Sequence, residues 1–144
     1  MNKILNVYII EDDRIYSKLL FSYLSNLSKR LTGRDVCLNI IQCENGEEFL
    51  NIDNPDPDIV FLDYHLDSTE EGALNGLQIL KSINESHPKA NCVILTSQEH
   101  TITTVELMKN GAIDYIEKDN NSFHRVDLVV GKICVLRETV KKKK

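Results

Sequence analysis

At 144 residues the chain is long enough for one hydrophobic core and too short for two ordinary domains. An apolar share of 42% and a charged share of 27% set aside disorder, and a formal net charge of -5 argues against a nucleic-acid-binding surface. The start leads straight into a strand-like run and no segment has the length to span a bilayer, so a cytoplasmic protein with no membrane contact is expected.

Taken in order, short β-rich runs alternate with segments of helical period, the pattern of successive βαβ units around a parallel sheet. Ile4 to Ile10 is an almost continuous apolar run, as for a strand covered on both faces, and it stops at Glu11-Asp12-Asp13. The spacing of Ile15, Leu19, Tyr23 and Leu27 then predicts a helix with those residues on one face. Val36 to Ile41 reads as the second strand and Gly46 to Leu50 as a short helix, before Asn54-Pro55-Asp56-Pro57 breaks the chain. Ile59 to Leu62 reads as the central strand and ends in Asp63. A polar loop containing Asp67, Glu70 and Glu71 follows, then a helix from about Gly76 with Leu77, Leu80 and Ile83 inward, closed by Pro88. Cys92 to Leu95 forms the fourth strand, ending at Thr96-Ser97. The next helix, with Ile102 and Val105 on its core side, runs to a cap at Asn110-Gly111. Ala112 to Glu117 is the fifth strand, and a last helix from about Ser122 carries Val126, Val129, Val130, Ile133 and Leu136 inward. The domain is expected over residues 1–140, with Lys141 to Lys144 as a basic, solvated tail. Cys37, Cys43, Cys92 and Cys134 form no C-x-x-C pair and are expected to be reduced, mostly as small hydrophobes in apolar runs.

In an open parallel sheet, ligands bind beyond the carboxyl ends of the strands, where the winding reverses. Glu11 and Asp12, Asp63, Thr96 and Lys118 all fall at such ends. Any one of these acids alone reads as well as a helix N-cap or a solvated loop carboxylate. Jointly, three carboxylates repel by about 4 kcal/mol per pair at roughly 4 Å and an effective dielectric near 20, so the cluster needs a cation. Magnesium, a hard ion that takes oxygen ligands, is the natural one.

The runs Ile9-Ile10-Glu11-Asp12-Asp13, Phe61-Leu62-Asp63, Ile94-Leu95-Thr96-Ser97 and Gly111-Ala112-Ile113-Asp114-Tyr115-Ile116-Glu117-Lys118 resemble, in order, the signatures of response regulator receiver domains. The resemblance implies a doubly wound (βα)5 domain with a five-stranded parallel sheet in the flavodoxin-like order 2-1-3-4-5. It implies that Asp63 is the phosphoacceptor and that Asp12 binds Mg2+ directly, Glu11 largely through water, with the His65 backbone carbonyl completing the protein ligands. Thr96 and Lys118 would bind phosphoryl oxygens. Thr96 and Tyr115 would then form the switch that alters the surface of the fourth helix, fifth strand and fifth helix. The implied partners are a sensor histidine kinase or histidine phosphotransfer protein and a downstream protein effector; whether the last helix supports a homodimer stays open. The chain is thus expected to be a signalling switch that phosphorylates and dephosphorylates itself, not an enzyme acting on others.

Asp67 and Asp119 stand where the family commonly has proline, and the loop after Asp63 is several residues longer than usual, a surface insertion or a specificity loop. His65 and Gln98 occupy positions that tune phosphoryl lifetime in the family. A pseudo-receiver acting as a phosphorylation-independent interaction module is the main alternative; the intact set Asp12, Asp63, Thr96 and Lys118 weighs against it. A flavin binder of the same strand order fits poorly, since acids stand where a phosphate would need glycines and backbone N–H groups.

Overall fold

The structure is a computed structural model that describes residues 3–64, 76–97 and 104–142. Five parallel strands, β1 (Lys3–Ile10), β2 (Val36–Cys43), β3 (Ile59–Asp63), β4 (Asn91–Thr96) and β5 (Ala112–Glu117), form one sheet in the order β2-β1-β3-β4-β5. Between them run α1 (Arg14–Leu31), α2 (Gly46–Leu50), α3 (Gly76–Ser86) and α4 (Thr104–Lys109), and α5 (Ser122–Lys142) closes the fold. A 3-10 turn over Thr32–Arg34 ends α1, and Asp35, in the left-handed region at φ 59°, leads into β2. The expected fold class and strand order are those observed.

Because side chains alternate along a strand, each central strand feeds both faces of the sheet. Leu5, Val7, Ile9, Ile59, Phe61, Val93 and Leu95 meet α1 and α5 on one face. Tyr8, Ile10, Val60, Leu62, Cys92 and Ile94 meet Phe49 of α2, Ile79, Leu80 and Ile83 of α3 and Leu107 of α4 on the other. This two-sided burial is why the strands read as continuous apolar runs. Each fully buried Leu, Ile or Phe contributes about 1.5–3 kcal/mol.

The helix faces differ in part from the expectation. On α1 the buried stripe is Ser17, Leu20, Leu24, Leu27 and Leu31, whereas Ile15 is 75% and Leu19 53% exposed. Asp13 caps the helix, its carboxylate accepting from the Ile15 and Tyr16 N–H groups at 3.0 and 3.2 Å, and this sets the phase of the turns that follow. On α4 Val105 is exposed and Leu107 buried; on α5 Val126, Val129, Val130 and Ile133 are buried but Leu136 is exposed. Ile102, Asp67, Glu70, Glu71 and Gln98 lie outside the described residues. The α4 cap is at the expected place: Asn110 follows the helix and Gly111 takes φ +106°, a conformation a side chain would strain. Helix α5 continues through Lys142, so Lys141 and Lys142 belong to it. Cys43 and Cys92 are buried and Cys37 and Cys134 half-buried, none in a disulfide; burial pushes the Cys43 thiol up to about 11 and Cys92 to about 12, so both stay neutral.

Candidate functional site

Three backbone hydrogen bonds carry the sheet ladder just past the strand ends and fix the residues that emerge there. Glu11 N–H donates to the Cys43 carbonyl at 3.0 Å, Tyr64 N–H to Leu95 at 2.9 Å and Lys118 N–H to Thr96 at 2.8 Å. Glu11, Asp63 and Thr96 are thereby buried at the carboxyl edge, 1%, 3% and 9% exposed, while Asp12 opens to solvent. Ligand oxygens of Glu11, Asp12 and Asp63 all lie within 4.8 Å of one another.

Lys118 reaches into this group. Its ammonium lies 2.5 Å from Glu11 Oε1 and 3.4 Å from Asp63 Oδ1, with a side chain only 17% exposed. Among the described residues one cation faces three carboxylates, which leaves the cluster short of positive charge. Burial first, then the close approach and charge of Asp63, push the Glu11 carboxyl up to about 9, with Lys118 pulling the other way. Burial and the neighbouring Asp63 raise Asp12 as well. Burial lowers Lys118, but its contacts with Glu11 and Asp63 outweigh this and hold it above its ordinary value.

Glu11 Oε2 is buried with no hydrogen-bond partner among the described atoms. An orphaned carboxylate oxygen beside two further carboxylates is the donor set a hard divalent cation takes, so these residues fit Mg2+. Thr96 sits at the end of β4, where its hydroxyl donates to the Ser97 carbonyl at 3.1 Å. Tyr115, on β5, is half-buried against the α2–α4 face. It lines a cleft of about 610 Å³ with Asp114, Glu117 and α5 residues Arg125, Leu128, Val129 and Lys132. His65 lies outside the described residues.

Two features were not foreseen from sequence. Asp119 closes the loop after Lys118: its carboxylate accepts from Asn121 N–H at 2.8 Å and its carbonyl from Ser122 N–H at 3.1 Å, a local turn where the family commonly has proline. Tyr16, in the first turn of α1, presents its ring 4.8 Å from the Lys118 ammonium. A lone aromatic in a helix carries no sequence signal of a distant lysine.

The family model for the response regulator receiver domain matches residues 7–129. The nitrogen assimilation regulatory protein NtrX of Azorhizobium caulinodans is 35% identical over 66 residues, 46% of this chain and 14% of its own length. A protein-glutamate methylesterase/protein-glutamine glutaminase of Oceanobacillus iheyensis is 28% identical over 143 residues, 94% of this chain and 37% of its own. The chain thus spans well under half the length of these curated relatives. Among solved structures, the receiver domain of NtrX from Brucella abortus superposes with a TM-score of 0.72 at 23% identity, covering 88% of this chain and 96% of that one. The signal receiver domain of a Luxo repressor protein from Vibrio parahaemolyticus gives 0.72 at 21% identity, covering 97% and 96%. Among the described residues no helix is long and apolar enough to cross a membrane. With the acidic pocket at the strand ends and a family match over most of its length, the chain belongs to the response regulator receiver domain family.

Proposed function

We propose that this domain, working in the cytoplasm, accepts a phosphoryl group on Asp63 from the phosphohistidine of a sensor kinase or phosphotransfer protein, and thereby switches a surface read by a protein effector. The observation that carries the reading is the buried Asp63 carboxylate at the end of β3, with Lys118 at 3.4 Å and Glu11 and Asp12 beside it. Receiver domains of this family are signalling switches that exchange signals with histidine kinases and downstream effectors.

In the reaction an Asp63 carboxylate oxygen forms the new bond to phosphorus as the P–N bond to the donor imidazole breaks, and the imidazole leaves as a neutral ring once protonated. Glu11, Asp12, Asp63 and the His65 backbone carbonyl would hold Mg2+, which when bound supplies positive charge to the phosphoryl oxygens. Lys118, already beside Asp63, offsets charge on those oxygens. The Thr96 hydroxyl gives up the Ser97 carbonyl to donate to one of them. Its turn toward Asp63 frees space for Tyr115, which changes the surface of α4, β5 and α5.

The test is intact mass after treatment with phosphoramidate and Mg2+. One phosphoryl adduct, absent with chelator and in Asp63→Asn, is expected. No adduct, even from a phosphohistidine donor, would reassign the domain as a phosphorylation-independent interaction module.

A further inference from the structure

The geometry points to Tyr16 as a positioning residue for this transfer: its ring face borders the Lys118 ammonium where that group meets Glu11 and Asp63, and its hydroxyl, bonded to Ser122, helps to hold the ring. The inference rests on the reading of Asp63 as phosphoacceptor.

Lys118 is a flexible point charge at the start of a loop, and the rotamer entropy of its long side chain must be overcome to hold one direction. The carboxylates of Glu11 and Asp63 attract it on one side, at 2.5 and 3.4 Å. They leave it nearer Glu11 than Asp63, the phosphoryl site of the proposed reaction. The Tyr16 ring, with its centroid 4.8 Å from Nζ, supplies another boundary: the negative face of an aromatic ring attracts an ammonium and excludes water from it.

That ring is itself held. The phenol donates to Ser122 Oγ at 3.3 Å, and Ser122 is only 3% exposed at the first turn of α5. Phe123 packs against the ring at 5.8 Å between centroids, and Phe123 in turn stacks on Tyr23 at 5.2 Å. Asp13, whose carboxylate accepts the Tyr16 N–H, fixes the backbone of the same residue. Tyr16 therefore joins the first turn of α1, which follows Asp12, to the first turn of α5, which follows the Lys118 loop. In a loop where Asp119 takes the place the family gives to proline, this brace orients Lys118 from outside the loop.

The test pairs a spectroscopic readout with a rate. In wild type the ε-methylene protons of Lys118, assigned by their loss in Lys118→Met, should be shifted upfield by the Tyr16 ring current. The shift should persist but shrink in Tyr16→Phe, which keeps the ring and loses its tie to Ser122, and vanish in Tyr16→Leu. With phosphoramidate and Mg2+, adduct formation should be about 2- to 30-fold slower in Tyr16→Leu, the range a cation–π contact corresponds to, and slowed less in Tyr16→Phe. If Tyr16→Leu does not fold by circular dichroism, pentafluorophenylalanine at position 16, which keeps the ring and reverses the charge on its face, is compared with Tyr16→Phe; slower transfer supports the role. An unshifted Lys118 in wild type, or wild-type rates without the aromatic face, overturns it. A wild type that shows the ring shift but takes no phosphoryl group would instead overturn the reading of Asp63, and with it any role for Tyr16 in transfer.

Discussion

The two faces of the sheet differ in what covers them. Over one lie α1 and α5, of 18 and 21 residues; over the other lie α2, of 5, and α3 and α4, described over 11 and 6. A short helix buries few apolar side chains and opens at lower free energy than a long one packed along a sheet. The long-helix face carries the parts that must stay put: the Asp13 cap beside Asp12, Tyr16, and the root of the Lys118 loop at Ser122. The short-helix face carries Tyr115, and the β4–β5 pairing beside it has an irregular register at Cys92/Val93. The site thus lies between these two coverings, with its anchoring contacts on the side of α1 and α5 and Tyr115 packed toward the other.

The largest expected effect separates the faces directly. Leu24→Ala, at a fully buried position on α1, should lower stability by about 3–5 kcal/mol, and Leu107→Ala, on α4, by about 2 kcal/mol. Chemical denaturation measures both, and equal costs would remove the distinction. Next, a Cβ added at Gly76 would lie 2.5 Å from the Tyr64 carbonyl oxygen and 2.8 Å from its Cα, so the backbone next to Asp63 must move. Gly76→Ala should cost about 1–3 kcal/mol and slow adduct formation on Asp63; loss of stability with an unchanged rate would uncouple α3 from the site.

The third prediction concerns pH. The Glu11 carboxyl, at about 9 when folded against an ordinary 4.5, binds its proton more tightly in the native state. Its stabilising contribution is therefore fully present below about 4.5 and is lost as pH rises toward 9. The raised Asp12 acts in the same sense, and Lys118 loses its contribution only as pH climbs above its ordinary 10.5. The denaturation midpoint of the metal-free protein should fall between weakly acidic and weakly basic pH, and Glu11→Gln should flatten that slope. Mg2+ binding should tighten over the same interval as the competing proton leaves, with buffer-dependent heats reporting its release. The smallest effect is a gain: Gly131 lies inside α5 with no atom within 4 Å of an added Cβ, so Gly131→Ala should stabilise by about 0.5–1 kcal/mol.

The strands were legible because β3, β4 and the second half of β1 are buried on both faces and read as nearly continuous apolar runs, broken in β1 by Asn6, that lead into acids or Thr96. The acidic cluster followed from topology, since Glu11, Asp12 and Asp63 leave adjacent parallel strands on one edge. Helix faces were harder. Counting from Ile15 selects two exposed residues, because α1 carries apolar side chains on more than one side and only packing against the sheet chooses among Leu19, Leu20, Tyr23 and Leu24. Val105 misled in the same way beside Leu107. The Tyr16–Lys118–Ser122 contacts were illegible because they join residues far apart in sequence through one ring, with no periodic pattern to announce them.

The most direct test of the central claim is to locate the phosphoryl group. Borohydride reduces an aspartyl phosphate to homoserine, which fragmentation mass spectrometry assigns to one position. Homoserine at residue 63 alone, dependent on Mg2+ and on prior exposure to a phosphodonor, is the result the account predicts. Homoserine at residue 12, or its absence from a protein that has taken up phosphate, would contradict it.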